Sequence, residues 1–165
     1  MSAKYRVLLA DDSEDDRFLV ARALRRSDAL ELVHEVENGE HVVNYLRGTA
    51  QFSDRELFPF PDLLLLDLKM PRMDGFDLLE WIRDNGCKPS KVVVFSSSPL
   101  PQDVRRALEL GADSYQLKPR HIEDLPVLVE KLQFLLRLRD AEQPCPACGH
   151  ESGDSRRDER ECDIA

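Results

Sequence analysis

The sequence lacks long hydrophobic runs. Its longest purely apolar stretches are about four residues, Leu63 to Leu66 and Val92 to Phe95 among them, where a membrane helix needs about 20. Val7 to Ala10 is likewise too short for the core of a secretory signal, so a cytoplasmic protein with no membrane partner is expected. Basic charge is also in deficit: 23 Lys and Arg stand against 32 Asp and Glu, a formal net charge of −9. With no basic stripe to meet phosphates, a general nucleic-acid binder is excluded. Cysteine is scarce in the body of the chain, where Cys87 stands alone, while Cys145, Cys148 and Cys162 crowd into the last 21 residues. That skew argues against a disulfide framework and raises metal or redox chemistry instead.

What remains is 165 residues with 42% hydrophobic content, enough for one globular domain. Apolar runs alternate with amphipathic stretches, the pattern of an α/β fold around a buried parallel sheet. Strands are expected at Tyr5 to Ala10, Leu30 to Val36, Asp62 to Asp67, Lys91 to Ser96 and Asp113 to Leu117. The third is nearly all leucine, as a central strand covered on both faces requires. Between them, helices are expected from the Ser13 cap to about Arg26 with Phe18, Leu19 and Ala23 as apolar positions, after Asn38-Gly39, over Gly75 to Asp84, over Gln102 to Leu110, and from about Glu123 onward. Five strands and five helices in strict alternation imply a doubly wound sheet. Arg47 to Pro61 is a long connection, but Phe52, Leu57, Phe58 and Phe60 suggest that it packs down. Residues 1–140 form the predicted domain. Residues 141–165 are a Cys-containing tail of net charge −4 that reads as disordered unless something organises it.

Doubly wound sheets gather their sites at the carboxyl ends of the strands. There the sequence places Asp11-Asp12, Asp67, Ser96 and Lys118. Crowded carboxylates repel unless a cation intervenes, and all-oxygen ligands with room for water suit Mg²⁺ better than Zn²⁺. A carboxylate beside such an ion, a hydroxyl and a lysine has the parts needed to accept a phosphoryl group. Singly, each residue is explained as a turn former, a cap or a solvated charge. Five of them at one sheet edge are not.

On these residues the chain resembles the receiver domain of two-component response regulators, a flavodoxin-like fold. The resemblance runs through Leu8-Leu9-Ala10-Asp11-Asp12, Leu66 to Gly75, Phe95-Ser96-Ser97 and Tyr115-Gln116-Leu117-Lys118-Pro119, and covers roughly residues 5–138. It implies that Asp67 is the phosphoacceptor, supplied by a phosphohistidine of a sensor kinase or phosphotransfer protein. It implies that Asp12, Asp67 and the Lys69 carbonyl bind Mg²⁺ directly while Asp11 acts through metal-bound water. Ser96 and Lys118 would hold the phosphoryl oxygens, Ser97 would leave them room, and Tyr115 would be an aromatic switch. A cis Lys118–Pro119 bond is also implied. Lys69 and Ser98, each two residues beyond a site residue, depart from the usual pattern, and Lys69 is expected to lie over the phosphoryl group.

Only about 25 residues follow the last helix, so the expected output is a protein contact or onward phosphotransfer by a stand-alone regulator, not an enzyme activity. The long connection and the Asp12 to Arg17 run look most like small regulators that serve bacterial phytochromes. The last helix carries a second apolar stripe, Val127, Phe134 and Leu138, which suggests a homodimer or partner face. In the tail, Cys145, Cys148, His150 and Cys162 resemble a zinc-ribbon knuckle plus one further thiolate, a possible Zn²⁺ set; the alternative is an acidic tail with reactive thiols. Two other functions compete: a Mg²⁺-dependent phosphohydrolase with Asp67 as transient nucleophile, and an unphosphorylated adaptor. The hydrolase is disfavoured because Lys69 stands where such enzymes want an acid.

Overall fold

The computed structural model describes residues 4–142, with side chains through residue 138. Five strands, β1 (Tyr5–Ala10), β2 (Leu30–Val36), β3 (Leu63–Leu66), β4 (Lys91–Ser96) and β5 (Ser114–Leu117), pair in parallel in the order β2-β1-β3-β4-β5. The helices are α1 (Glu14–Leu24), α2 (Gly39–Arg47), α3 (Gly75–Asn85), α4 (Pro101–Glu109) and α5 (Leu125–Glu142). This is the expected five-stranded doubly wound sheet, with the order of strand addition reversing between β1 and β3.

Period-two alternation in the strands divides the core. Leu8, Ala10, Leu64, Leu66, Val92 and Val94 face the layer of α2, α3 and α4. Val7, Leu9, Leu63, Leu65, Val93 and Phe95 face α1 and α5. All four leucines of β3 are fully buried, each contributing about 2 kcal/mol of transfer free energy. On α5, Leu125, Leu128, Val129, Leu132 and Leu136 form the buried stripe, and Val127, Phe134 and Leu138 stay exposed on the other side, both as the spacing implies.

Three local expectations change. Helix α5 begins at Leu125 because a 3-10 turn, Ile122–Asp124, precedes it. Phe18 is 62% exposed, while α1 buries Val20, Ala21 and Leu24. In the long connection Phe52 is buried and Phe58 and Phe60 pack on the core, but Leu57 faces solvent.

That connection is held by contacts that local sequence patterns do not announce. The Arg55 guanidinium donates to the carbonyls of Tyr45 (2.8 Å), Leu46 (2.7 Å) and Phe58 (3.2 Å), satisfying acceptors at the end of α2. His34, from β2, stacks on Tyr45 at 5.8 Å and meets the edges of Phe52 and Phe58 at 5.3 Å. Burial lowers the His34 pKa, keeping the ring neutral within this cluster.

Gly75 opens α3 directly beneath the carboxyl end of β3, and its amide donates to the Leu68 carbonyl at 2.9 Å. A Cβ there would meet the Asp67 carbonyl oxygen at 2.6 Å and the Leu68 Cα at 2.7 Å. Both obstacles are backbone, so Gly75→Ala must displace the segment carrying Asp67. Urea unfolding of that variant should show a loss of about 1–3 kcal/mol, as overpacked sites do; an unchanged midpoint would mean that the helix slides freely past this segment.

Candidate functional site

The sheet ladder itself assembles the site. Ala10 pairs with Leu66, Leu66 with Val94, and Ser96 with Leu117. Pairing continues one step beyond the strands: the Asp11 amide donates to Val36 (3.0 Å), the Asp67 amide to Ala10 (2.8 Å) and the Lys118 amide to Ser96 (2.9 Å). Asp11, Asp67, Ser96 and Lys118 therefore share one edge, and their backbones are fixed by the same hydrogen-bond network that holds the sheet.

Asp11, Asp67 and Ser96 are buried, whereas Asp12 is exposed at the mouth. One carboxylate oxygen from each of Asp11, Asp12 and Asp67 lies within 4.8 Å of the others. Lys118 Nζ contacts Asp11 Oδ2 at 2.7 Å, Asp16 Oδ2 at 2.8 Å and Asp67 Oδ2 at 3.4 Å. The Asp11 contact is the shortest of the three, so this one ammonium faces three carboxylates at once. An all-oxygen set of three carboxylates gathered within 4.8 Å and facing a single ammonium fits a hard divalent cation such as Mg²⁺.

The other implied residues take distinct places. Lys69 is exposed and lines a shallow cleft at the mouth together with Asp12, Met70, Ser98 and Asp103. Ser97 is exposed, but Ser98, beyond it, is buried and multiply bonded. The Ser98 amide donates to Ser96 Oγ at 3.2 Å, its hydroxyl donates to Asp103 Oδ2 at 2.5 Å, and its carbonyl accepts from the Tyr115 hydroxyl at 2.7 Å. Ser98 thus links the site hydroxyl, the half-buried tyrosine of β5 and the first turn of α4. The Lys118–Pro119 bond is trans, not cis as the resemblance implies, and there is no cis peptide among the described residues. Trans is the form an X–Pro bond ordinarily prefers. Cys145, Cys148, His150 and Cys162, the possible Zn²⁺ ligands, lie outside the described residues.

One site residue, Asp16, was not singled out by sequence reasoning. Asp16 in α1 reads as one of three acidic residues favouring a helix start. Nothing local signals that Lys118, 102 residues away, donates to it.

Burial dominates the electrostatics. It pushes the Asp67 carboxyl from 3.8 up to about 6; the Asp11 charge adds to this, while Lys118 and the Lys69 amide oppose it. Burial raises Asp11 too, against the pull of Lys118 and the Ser13 amide. Burial alone would lower Lys118, but pairing with Asp11 and Asp16 and the charge of Asp67 outweigh it, so its pKa is raised and it stays cationic.

These shifts fix the pH response of the metal-free protein. A carboxyl whose folded pKa exceeds its unfolded one binds more protons when folded, so stability falls as pH rises between the two values. The penalty from Asp67 is absent below pH 3.8 and complete above about 6, amounting to roughly 2–3 kcal/mol. Without divalent cation, Asp67→Asn should therefore be the more stable protein at pH 7, with the advantage shrinking toward pH 4. Urea unfolding across that range checks it; an Asn variant less stable than wild type at pH 7 would contradict it.

Comparison with known proteins agrees with this geometry. The profile of the response regulator receiver domain matches residues 7–130. The chain is 37% identical over 129 residues to the two-component response regulator ORR41 of Oryza sativa subsp. japonica, covering 78% of this chain and 94% of that protein. It is also 37% identical over 134 residues to a protein-glutamate methylesterase/protein-glutamine glutaminase of Anaeromyxobacter dehalogenans, covering 81% of this chain but only 35% of that longer protein. Among solved structures, the phosphorylated cyanobacterial phytochrome response regulator RcpA superimposes with a TM-score of 0.71 at 27% identity, covering 82% of this chain and 95% of that one. The Mn²⁺-bound response regulator Rcp1 gives a TM-score of 0.65 at 30% identity, covering 78% and 91%. With its strand order, its acidic pocket and a family profile spanning most of its length in accord, this chain belongs to the response regulator receiver domain family.

Proposed function

We propose that this receiver accepts a phosphoryl group on Asp67 from a phosphohistidine of a sensor histidine kinase or phosphotransfer protein. The convergence of Asp11, Asp67, Ser96 and Lys118 on one sheet edge carries this reading. A kinase of the phytochrome type is favoured by the likeness to RcpA, itself a phytochrome response regulator.

An Asp67 carboxylate oxygen attacks phosphorus as the donor's N–P bond breaks; the new bond is O–P, and the departing imidazole nitrogen takes a proton from water. Lys118 meets the charge on the transferred oxygens, and Ser96, now accepting from the Ser98 amide at 3.2 Å, turns its hydroxyl to one of them. Asp11, Asp12, Asp67 and the Lys69 carbonyl would hold Mg²⁺, which supplies charge neutralisation when bound. Ser97, small and exposed, leaves the approach open.

The output is a changed protein-binding surface. When Ser96 turns, it withdraws the acceptor of the Ser98 amide, and the Ser98 bonds to Tyr115 and Asp103 offer that change a route outward. Tyr115 and the first turn of α4 then readjust, altering the face formed by α4, β5 and α5. The exposed Val127, Phe134 and Leu138 extend that face and suit a homodimer or a protein target. A phosphohydrolase is less well supported, because Lys69 rather than an acid follows Asp67 by two residues.

Incubating the protein with acetyl phosphate and Mg²⁺ and then measuring its intact mass tests the proposal. Gain of one phosphoryl group per chain is expected, and none in Asp67→Asn. Continuous turnover without accumulation would favour the hydrolase, and no change the adaptor.

A further inference from the structure

The geometry points to Asp16 as a positioning residue that aims the Lys118 ammonium at the phosphoryl site; this rests on the phosphoacceptor reading above. A lysine ammonium is a point charge with three N–H donors on a flexible four-carbon stem, so its own backbone does not determine where those donors point. Three carboxylates surround Lys118: Asp11 Oδ2 pairs with it at 2.7 Å, and Asp16 Oδ2 accepts a hydrogen bond from it at 2.8 Å. Asp67 Oδ2, where the phosphoryl group would be attached, is 3.4 Å away. With one N–H directed to Asp16 and Asp11 against its side, the ammonium keeps a donor for that neighbouring position.

Asp16 is free for this task because of how α1 begins. It is the third residue of the helix, and its amide is capped by Ser13 Oγ at 3.3 Å. An acidic side chain at that place ordinarily reaches back to the amide of the capping residue. Here the Ser13 amide already donates to Asp11 Oδ1 at 3.0 Å. The usual partner of the Asp16 carboxylate is therefore taken by a site residue, and the carboxylate turns to Lys118 instead. Arg17, next in the helix, anchors the same turn by donating to the Asp11 carbonyl at 2.7 Å. The Lys118 Nζ also lies 5.8 Å from the centroid of the Phe95 ring, which borders the ammonium on a side the carboxylates do not occupy.

The alternative is a solvent-screened ion pair of little consequence, since the Asp16 side chain is 40% exposed. The two differ in what replaces the carboxylate. Asn keeps an oxygen that accepts the same N–H, whereas Ala leaves the ammonium without its tether.

The rate of phosphorylation by acetyl phosphate with Mg²⁺, followed by intact mass, should be measured for wild type, Asp16→Ala and Asp16→Asn. In this transfer the Asp67 oxygen forms the O–P bond as the acyl O–P bond breaks and acetate leaves, so no further reactant is needed. Asp16→Ala should react about tenfold more slowly, and Asp16→Asn within about threefold of wild type, because loss of orientation rather than loss of charge sets the effect. A phosphorylated wild type with an equally fast Asp16→Ala variant, or an Asp16→Asn variant as slow as Asp16→Ala, would overturn the assignment. A wild type that takes up no phosphoryl group would instead overturn the phosphoacceptor reading beneath it.

Discussion

Lys118 Nζ lies within 3.4 Å of carboxylate oxygens from Asp11, Asp16 and Asp67, two of which belong to buried residues. One ammonium cannot neutralise so much negative charge, and burial, with repulsion between carboxylates adding to it, raises the pKa values of Asp11 and Asp67. The unmet charge suits the edge to a divalent cation, and in the proposed function such a cation would let Asp67 be both ionised and close to an incoming phosphoryl group. A fold that buried these carboxylates with enough basic partners would be more stable and would have no comparable affinity for a cation.

The sheet maintains this imbalance. Hydrogen bonds from Asp11, Asp67 and Lys118 continue the ladder past the ends of the strands, so the charged groups cannot separate without breaking the pairing that the buried leucines of β3 stabilise. Gly75 allows α3 to start close under Asp67, which keeps that residue enclosed. On the other side, Ser98 ties Ser96 to Tyr115 and α4, giving the charged edge a mechanical connection to the surface of the molecule.

Much of this is legible in the sequence because the elements are strongly patterned. The four consecutive leucines of β3 and the spacing on α5 determine which faces are buried, and once the strand order follows, Asp11, Asp67, Ser96 and Lys118 converge. What is not legible depends on side chains that meet across long separations. The Lys118 pairing with Asp16, the Arg55 bonds to the end of α2 and the His34 stacking on Tyr45 each depend on tertiary placement. Phe18 shows the opposite failing: it counts toward the apolar pattern that favours a helix, yet it lies in solvent. The Lys118–Pro119 bond shows the limit of resemblance, because matching residues do not determine a peptide isomer.

Calorimetric titration of the metal-free protein with Mg²⁺ at pH 7 tests most directly whether the crowded carboxylates are balanced by a cation. One ion per chain should bind, with binding abolished or strongly weakened in Asp67→Asn. Absence of binding by the wild type, or equal affinity in the variant, would contradict the view that unmet negative charge at this sheet edge is what the site is built around.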